Sequence, residues 1–239
     1  MRDRQLPALV AEGVGTFLFI FVGAGSVVLA THAGDGGPGL VGVALAHGLA
    51  LAVLVSALGA VSGAHFNPAV TIAVLIAGRI APIHAAGYVL VQLVGAVAAG
   101  FALRGIFPEA SWQPTAIGTP AIDAAIGVPG GIAIEAILTV LLVLAVFGTA
   151  IDARAPRLGG MAIGFAVAAD ILMGGPLTGA AMNPARWFGP ALASGAFDNW
   201  FVWIVGPLLG AAVAAGIYLL ALEDRASATV TPGTPEGAP

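Results

Sequence analysis

The sequence predicts an all-α membrane protein of six transmembrane helices and two re-entrant half-helices, arranged as an inverted repeat. Three observations lead there. Of 239 residues, 59% are hydrophobic and 8% charged, with a mean hydropathy of +1.02, whereas a soluble domain carries about 25% charged residues. So few charges do not solvate a globule of this size, and a bilayer is the solvent that fits. Six apolar segments, near 7–30, 40–60, 83–106, 131–151, 159–176 and 200–222, approach the roughly 20 residues needed to cross. Two shorter apolar stretches, 67–78 and 183–194, open alike: Ser62-Gly-Ala-His-Phe-Asn67-Pro68-Ala69 and Thr178-Gly-Ala-Ala-Met-Asn183-Pro184-Ala185.

The first span is too long for a signal-peptide core, and Asp35 to Pro38 offers no cleavage site, so it is read as retained. Arginine placement orients the chain. With both termini cytoplasmic, the inner side holds Arg2, Arg4, Arg79, Arg154, Arg157 and Arg225, and the outer loops hold Arg104 alone. Glu12 and Thr16 in the first span match Glu135 and Thr139 in the fourth. Each half therefore reads as three spans and one half-helix, and an odd number of spans inserts the second half upside down. Residues 1–222 form a single channel-like domain, with repeats at about 7–106 and 131–222 joined by an outer loop at about 107–130. Residues 223–239 read as a disordered cytoplasmic tail.

Other chemistries drop out. The chain has no cysteine, hence no disulfide and no thiolate metal site. No His, Asp and Glu cluster has metal-ligand spacing, no nucleotide loop occurs, and nothing pairs a nucleophile with its base. No cofactor and no enzymatic activity are expected. A formal charge of −4 without a basic patch does not suit nucleic acid. The glycines, 35 in all, suit close approach of membrane helices.

Asn followed by Pro at the start of an apolar run is a helix-start signal, because Asn caps and Pro fits the first helical position. In mid-membrane such a cap is tolerated only where it is packed in protein or lines a wet cavity. If Asn67 and Asn183 accept bonds from their own half-helices, their NH₂ groups point outward as donors. A water giving its oxygen to both is oriented so that the proton wire breaks, and two positive helix ends repel cations. Gly63 to Phe66 and Gly179 to Met182 read as extended segments whose free carbonyls line the path.

Here the chain resembles the aquaporins, or major intrinsic proteins, over about residues 7–222. The resemblance rests on both Asn-Pro-Ala boxes, Ser62-Gly63 with His65, the paired glutamates and Arg186 after the second box. It implies a right-handed bundle, usually a homotetramer with one pore per subunit, in the lipid bilayer of the cell membrane. It also places a four-residue constriction on His47, Ile171, Ala180 and Arg186. That set resembles the plant tonoplast intrinsic proteins, as do Ala150-Ile151-Asp152 and Met161 to Pro190. Glycerol channels carry Asp directly after the arginine, where this chain has Trp187. The implied function is passive passage of water and small neutral solutes such as ammonia, urea or hydrogen peroxide, with protons and ions excluded. The absence of aromatic and His residues at 47 and 171 respectively predicts a wider filter, with His47 and Arg186 as donors. His65 reads as structural, and Glu12 and Glu135 as acceptors holding the half-helix loops. Asp170 has three open readings: a partner for Arg186, a loop anchor, or a charge at the mouth. Trp187 is bulky enough to narrow the vestibule. Competing functions are a glycerol-type facilitator and an ion-coupled secondary transporter, which shares broken helices and inverted repeats.

Overall fold

The structure is a computed structural model and describes residues 5–152, 154–155, 158 and 160–223. The expected tail lies outside the described residues, apart from Glu223, and so do Arg2, Arg4, Arg157 and Arg225.

Nine α-helices occur among the described residues: α1 Gln5–His32, α2 Gly39–Ser62, α3 Pro68–Ile76, α4 Pro82–Ile106, α5 Glu109–Trp112, α6 Gly127–Val146, α7 Met161–Thr178, α8 Pro184–Ser194 and α9 Val202–Ile217. Six are long and apolar enough to cross a membrane: α1, α2, α4, α6, α7 and α9, with α6 and α9 extended to Ile151 and Leu222 by π-helical turns. The bundle is apolar outside. On α1, Leu6, Val10, Val14, Leu18 and Val22 form an exposed stripe at i, i+4 spacing, while Glu12 and Thr16 on the other face are fully buried. Water would not tolerate that outer stripe, and lipid does.

The repeat is visible in the packing. α1 packs on α4 as α6 packs on α9, α2 meets α7 between the halves, and each half-helix lies on the last helix of the other half, α3 on α9 and α8 on α4. Close approach depends on missing side chains: a Cβ on Gly95 would lie 2.3 Å from the Gly13 carbonyl, and one on Gly210 would lie 2.2 Å from that of Ala136. Three features depart from the sequence reading. The first half-helix ends at Ile76, α6 starts at Gly127 rather than 131, and the outer loop carries the short helix α5 and a 3₁₀ segment, Gln113–Gly118. Glu223 is placed: its N–H donates to the Tyr218 carbonyl and its carboxylate pairs with Arg79.

Candidate pore and its constriction

Both half-helices begin in the same local geometry. α2 and α7 end on glycines in the left-handed region, Gly63 at φ +87° and Gly179 at φ +78°. The loops that follow are not extended: Ala64, Phe66, Ala180 and Met182 have φ of 52°, 48°, 43° and 50°. Left-handed backbone at side chains as large as Phe66 and Met182 costs on the order of 1–3 kcal/mol each.

Two buried carboxylates hold these turns. Glu12 accepts from the Ser62 hydroxyl at 2.7 Å, from the N–H groups of His65 and Phe66 at 2.9 and 2.7 Å, and from the Gln92 amide at 2.8 Å. Glu135 accepts from the Thr178 hydroxyl at 2.7 Å and from the N–H groups of Ala181 and Met182 at 3.0 and 2.7 Å. Successive amides converging on an anion form a nest. Because the peptide unit is planar and trans, the carbonyls of Ala64, His65, Ala180 and Ala181 point away from the glutamates. All four residues line the central cavity.

At the middle of that cavity the two caps meet head to head. Asn67 Oδ1 accepts from Ala69 N at 2.8 Å, and Asn183 Oδ1 from Ala185 and Arg186 N at 2.9 and 3.2 Å. Pro68 and Pro184 occupy the first helical turn, where a missing N–H costs nothing. Each Asn NH₂ also reaches across: Asn67 Nδ2 donates to Met182 O at 2.9 Å, and Asn183 Nδ2 to Phe66 O at 3.0 Å. The expectation of free carbonyls is therefore corrected at Phe66 and Met182, which are tied to the opposite loop. One hydrogen of each NH₂ is spent in that tie and the other remains.

His47, Ile171, Ala180 and Arg186, far apart in sequence, come together around the same cavity. Arg186 Nε donates to His47 Nε2 at 3.0 Å, and Nη1 to the Gly118 carbonyl at 2.8 Å. His47 Nδ1 lies 2.9 Å from the Val43 carbonyl. A carbonyl only accepts and a guanidinium only donates, so His47 carries its proton on Nδ1 and accepts at Nε2. Both ring nitrogens are occupied, which corrects the expectation of His47 as a donor: it orients Arg186. Gly23 makes room for the ring, since a Cβ there would lie 2.4 Å from it.

The outer loop supplies a wall that sequence reading missed. Ala116, Ile117 and Gly118 are all left-handed, at φ 46°, 59° and 71°, and Ile117 is fully buried. The turn presents the Gly118 carbonyl to Arg186. The Pro-Thr-Ala-Ile-Gly run signals a turn, but only an alignment in space shows what it touches.

His65 lines the cavity as well, whereas Trp187 and Asp170 do not. The His65 ring bonds Thr71 at 3.1 Å and sits edge-on to Tyr88. Trp187 is buried and stacked on Trp203 at 5.7 Å, so it does not narrow the vestibule. Asp170 is buried, and neither carboxylate oxygen has a hydrogen-bond partner; it forms no ion pair with Arg186. Three cavities follow one another. The outer one shares His47, Ile171 and Arg186 with the central one, and the inner one shares His65 and Val146 with it. Among the described residues no group of His, Cys, Asp and Glu could hold a metal.

Comparison with known proteins agrees with this architecture. The family model "Major intrinsic protein" matches residues 2–218. Aquaporin TIP4-4 of Zea mays is 44% identical over 219 residues, 88% of this chain and 84% of that protein. The lens fiber major intrinsic protein of Gallus gallus is 43% identical over 221 residues, 92% of this chain and 82% of that one. The X-ray structure of the aquaglyceroporin from Plasmodium falciparum superposes with a TM-score of 0.79 at 22% identity, over 91% of this chain and 97% of its own; that likeness concerns the fold. With matching sequence over nearly its whole length and a matching fold, this chain belongs to the major intrinsic protein family, the aquaporins: it is a multi-pass membrane protein of a water-channel family and not an enzyme.

Proposed function

We propose that residues 1–222 form one pore per chain that conducts water and small neutral solutes, ammonia, urea or hydrogen peroxide, while excluding ions and protons. The observation that carries this reading is the head-to-head meeting of two capped helix N-termini inside a lined cavity, with Asn67 and Asn183 bonded across to Met182 and Phe66. A solute passing there meets amide hydrogens from both asparagines and carbonyls from both loops. Two positive helix ends repel cations, and single-file water turned by two donors does not relay protons.

In the constriction, Arg186 is the donor, His47 its support, and Ile171 and Ala180 the apolar walls. Only Arg186 keeps N–H groups beyond those spent on His47 and Gly118. Such a filter discriminates by bore more than by hydrogen-bond pattern, which suits slightly larger polar neutrals. An ion-coupled transporter is the weaker alternative, because the groups at the crossing are two neutral amides and two positive dipole ends. The glycerol-type alternative lacks an Asp after Arg186. Arginine placement orients both termini to the cytoplasm. Assembly as a homotetramer in the cell membrane follows the family; the vacuolar membrane is the other host that the likeness to plant tonoplast proteins suggests.

Stopped-flow light scattering on proteoliposomes tests the reading, with water, urea and ammonia compared for native protein and His47→Phe. Fast water entry with urea or ammonia entry, the larger solute trimmed in His47→Phe, is the expected result. Water alone keeps the channel and overturns the wide filter. Entry no faster than in empty liposomes overturns both.

A further inference from the structure

Asp170 is 1% exposed, and nothing donates to either of its oxygens. It precedes the pore-lining Ile171 and lies one turn before Gly174, where a Cβ would meet Leu138 of α6 at 2.5 Å and Ala180 at 3.3 Å. Residues four apart share a helix face, so Asp170 sits at the α6–α7 interface, behind the constriction. The helices packed on α7 are α6 and α2. α6 carries one charged group, Glu135, three residues before the Leu138 that faces Gly174 of α7. α2 offers one titratable group, His47, whose nitrogens are taken by Val43 and Arg186. Arg186 of α8 gives two of its N–H groups to His47 and Gly118 and none to Asp170. Asp170 thus meets a like charge and no cation.

The repeat shows what is unusual. Counting eight residues back from Ser62 and from Thr178 sets Asp170 against Leu54, a buried apolar residue. Gly95 and Gly210 are equivalent close contacts, and three residues before each stand Gln92 and Pro207. Gln92 is the fourth donor to Glu12, whereas proline has no side-chain donor and no N–H to give Glu135. The second half therefore combines a carboxylate with one donor fewer and a second, unpartnered carboxylate on the adjoining helix.

We propose that Asp170 is a positioning residue whose proton sets how firmly Glu135 holds the turn Thr178–Met182, and with it the Ala180 wall of the constriction. Ionised, Asp170 is an acceptor that repels Glu135 in an apolar interface. As the acid it is neutral, and the three bonds to Glu135 hold unopposed. Raising the pH removes that proton, loosens the turn and admits wider solutes. This rests on the wide-filter reading for its solute, though not for its test on water.

The experiment is water and urea permeability of proteoliposomes across a pH series, for native protein, Asp170→Asn and Asp170→Leu, with thermal unfolding of each. The urea-to-water ratio of the native channel is expected to rise with pH by roughly fivefold, the low end of coupling between sites. Both variants are expected to be flat, to sit at the native low-pH value, and to unfold at higher temperature. A flat native profile overturns the proposal. So does a pH dependence that survives in both variants, which would belong to His47 or His65. Failure of both variants to fold would make Asp170 a structural requirement and overturn it too. If the native channel passes water and no urea, the wide filter fails separately, and the pH profile of water permeability in the same three proteins decides Asp170.

Discussion

The two half-loops share a backbone and differ in what supports it. Around the first, Glu12, Gln92, Thr71 and His65 form a connected polar network: Gln92 donates to Glu12 and to Thr71 Oγ1, and Thr71 lies against the His65 ring. In the second, the equivalent positions are Glu135, Pro207, Trp187 and Ala181. Trp187, stacked on Trp203 and packed on Ala181, fills with rings the space that the first half fills with hydrogen bonds. One half is held by directional bonds and the other by a carboxylate over an aromatic plug. A connected hydrogen-bond network favours a single geometry, and apolar packing tolerates small shifts. The softer half is also the one that carries Ala180 and Arg186.

The largest expected effect separates the two glutamates. Glu12→Leu strands four donors, two of them part-buried, and Glu135→Leu three buried ones, each at up to about 1–3 kcal/mol. Both should lose most folded protein, Glu12→Leu the more completely, as read by size-exclusion yield and thermal midpoint. A worse outcome for Glu135→Leu would reverse the comparison. Next, Arg186→Ala removes the guanidinium that links α2, α8 and the outer loop. Urea permeability should rise about tenfold, a barrier lower by roughly 1.4 kcal/mol, with the thermal midpoint falling as His47 Nε2 and Gly118 O lose their donor.

Gln92→Leu sharpens the contrast by giving Glu12 the three-donor environment of Glu135. A hydrogen bond to a charged group is worth about 1.5–3 kcal/mol, offset in part because the variant also removes the buried Gln92 carbonyl, which has no partner. The midpoint should drop by less than in Glu12→Leu, with water permeability kept; no drop would mean the network is not what stiffens the first half. The smallest effects lie at two exposed ion pairs, Arg79 with Glu223 and Arg154 with Asp152. Arg79→Gln, which frees Glu223, should cost at most about 1 kcal/mol. Arg154 holds the Asp152 carboxyl below the usual carboxylate range by donating hydrogen bonds to it from its side chain and its backbone N–H. A depressed carboxyl stabilises the folded state above that range and stops doing so as pH falls through its folded value. Acid unfolding of native protein and Arg154→Gln should therefore converge at low pH and differ slightly at neutral pH.

Residues that act through local rules were readable in the sequence. The spans, the two Asn-Pro caps and the paired Glu12 and Glu135 follow from segment length, capping chemistry and repetition; the left-handed turns at Gly63 and Gly179 do not, since both loops read as extended in the sequence. Residues whose role depends on a distant partner were not. Asn67 and Asn183 look like free donors until the opposite loop is brought within 3 Å. His47 reads as a donor until Arg186 arrives from 139 residues away with only hydrogens to offer. Trp187 follows Arg186 directly, yet helix geometry turns it from the pore to Trp203. The sequence by itself determined that this is a duplicated membrane bundle with two half-helices meeting at its centre, because hydropathy, capping and repeat act along the chain. Only the tertiary structure decided which donors and acceptors remain for a solute, because a hydrogen-bonding group is spent or left free by whatever the fold places opposite it.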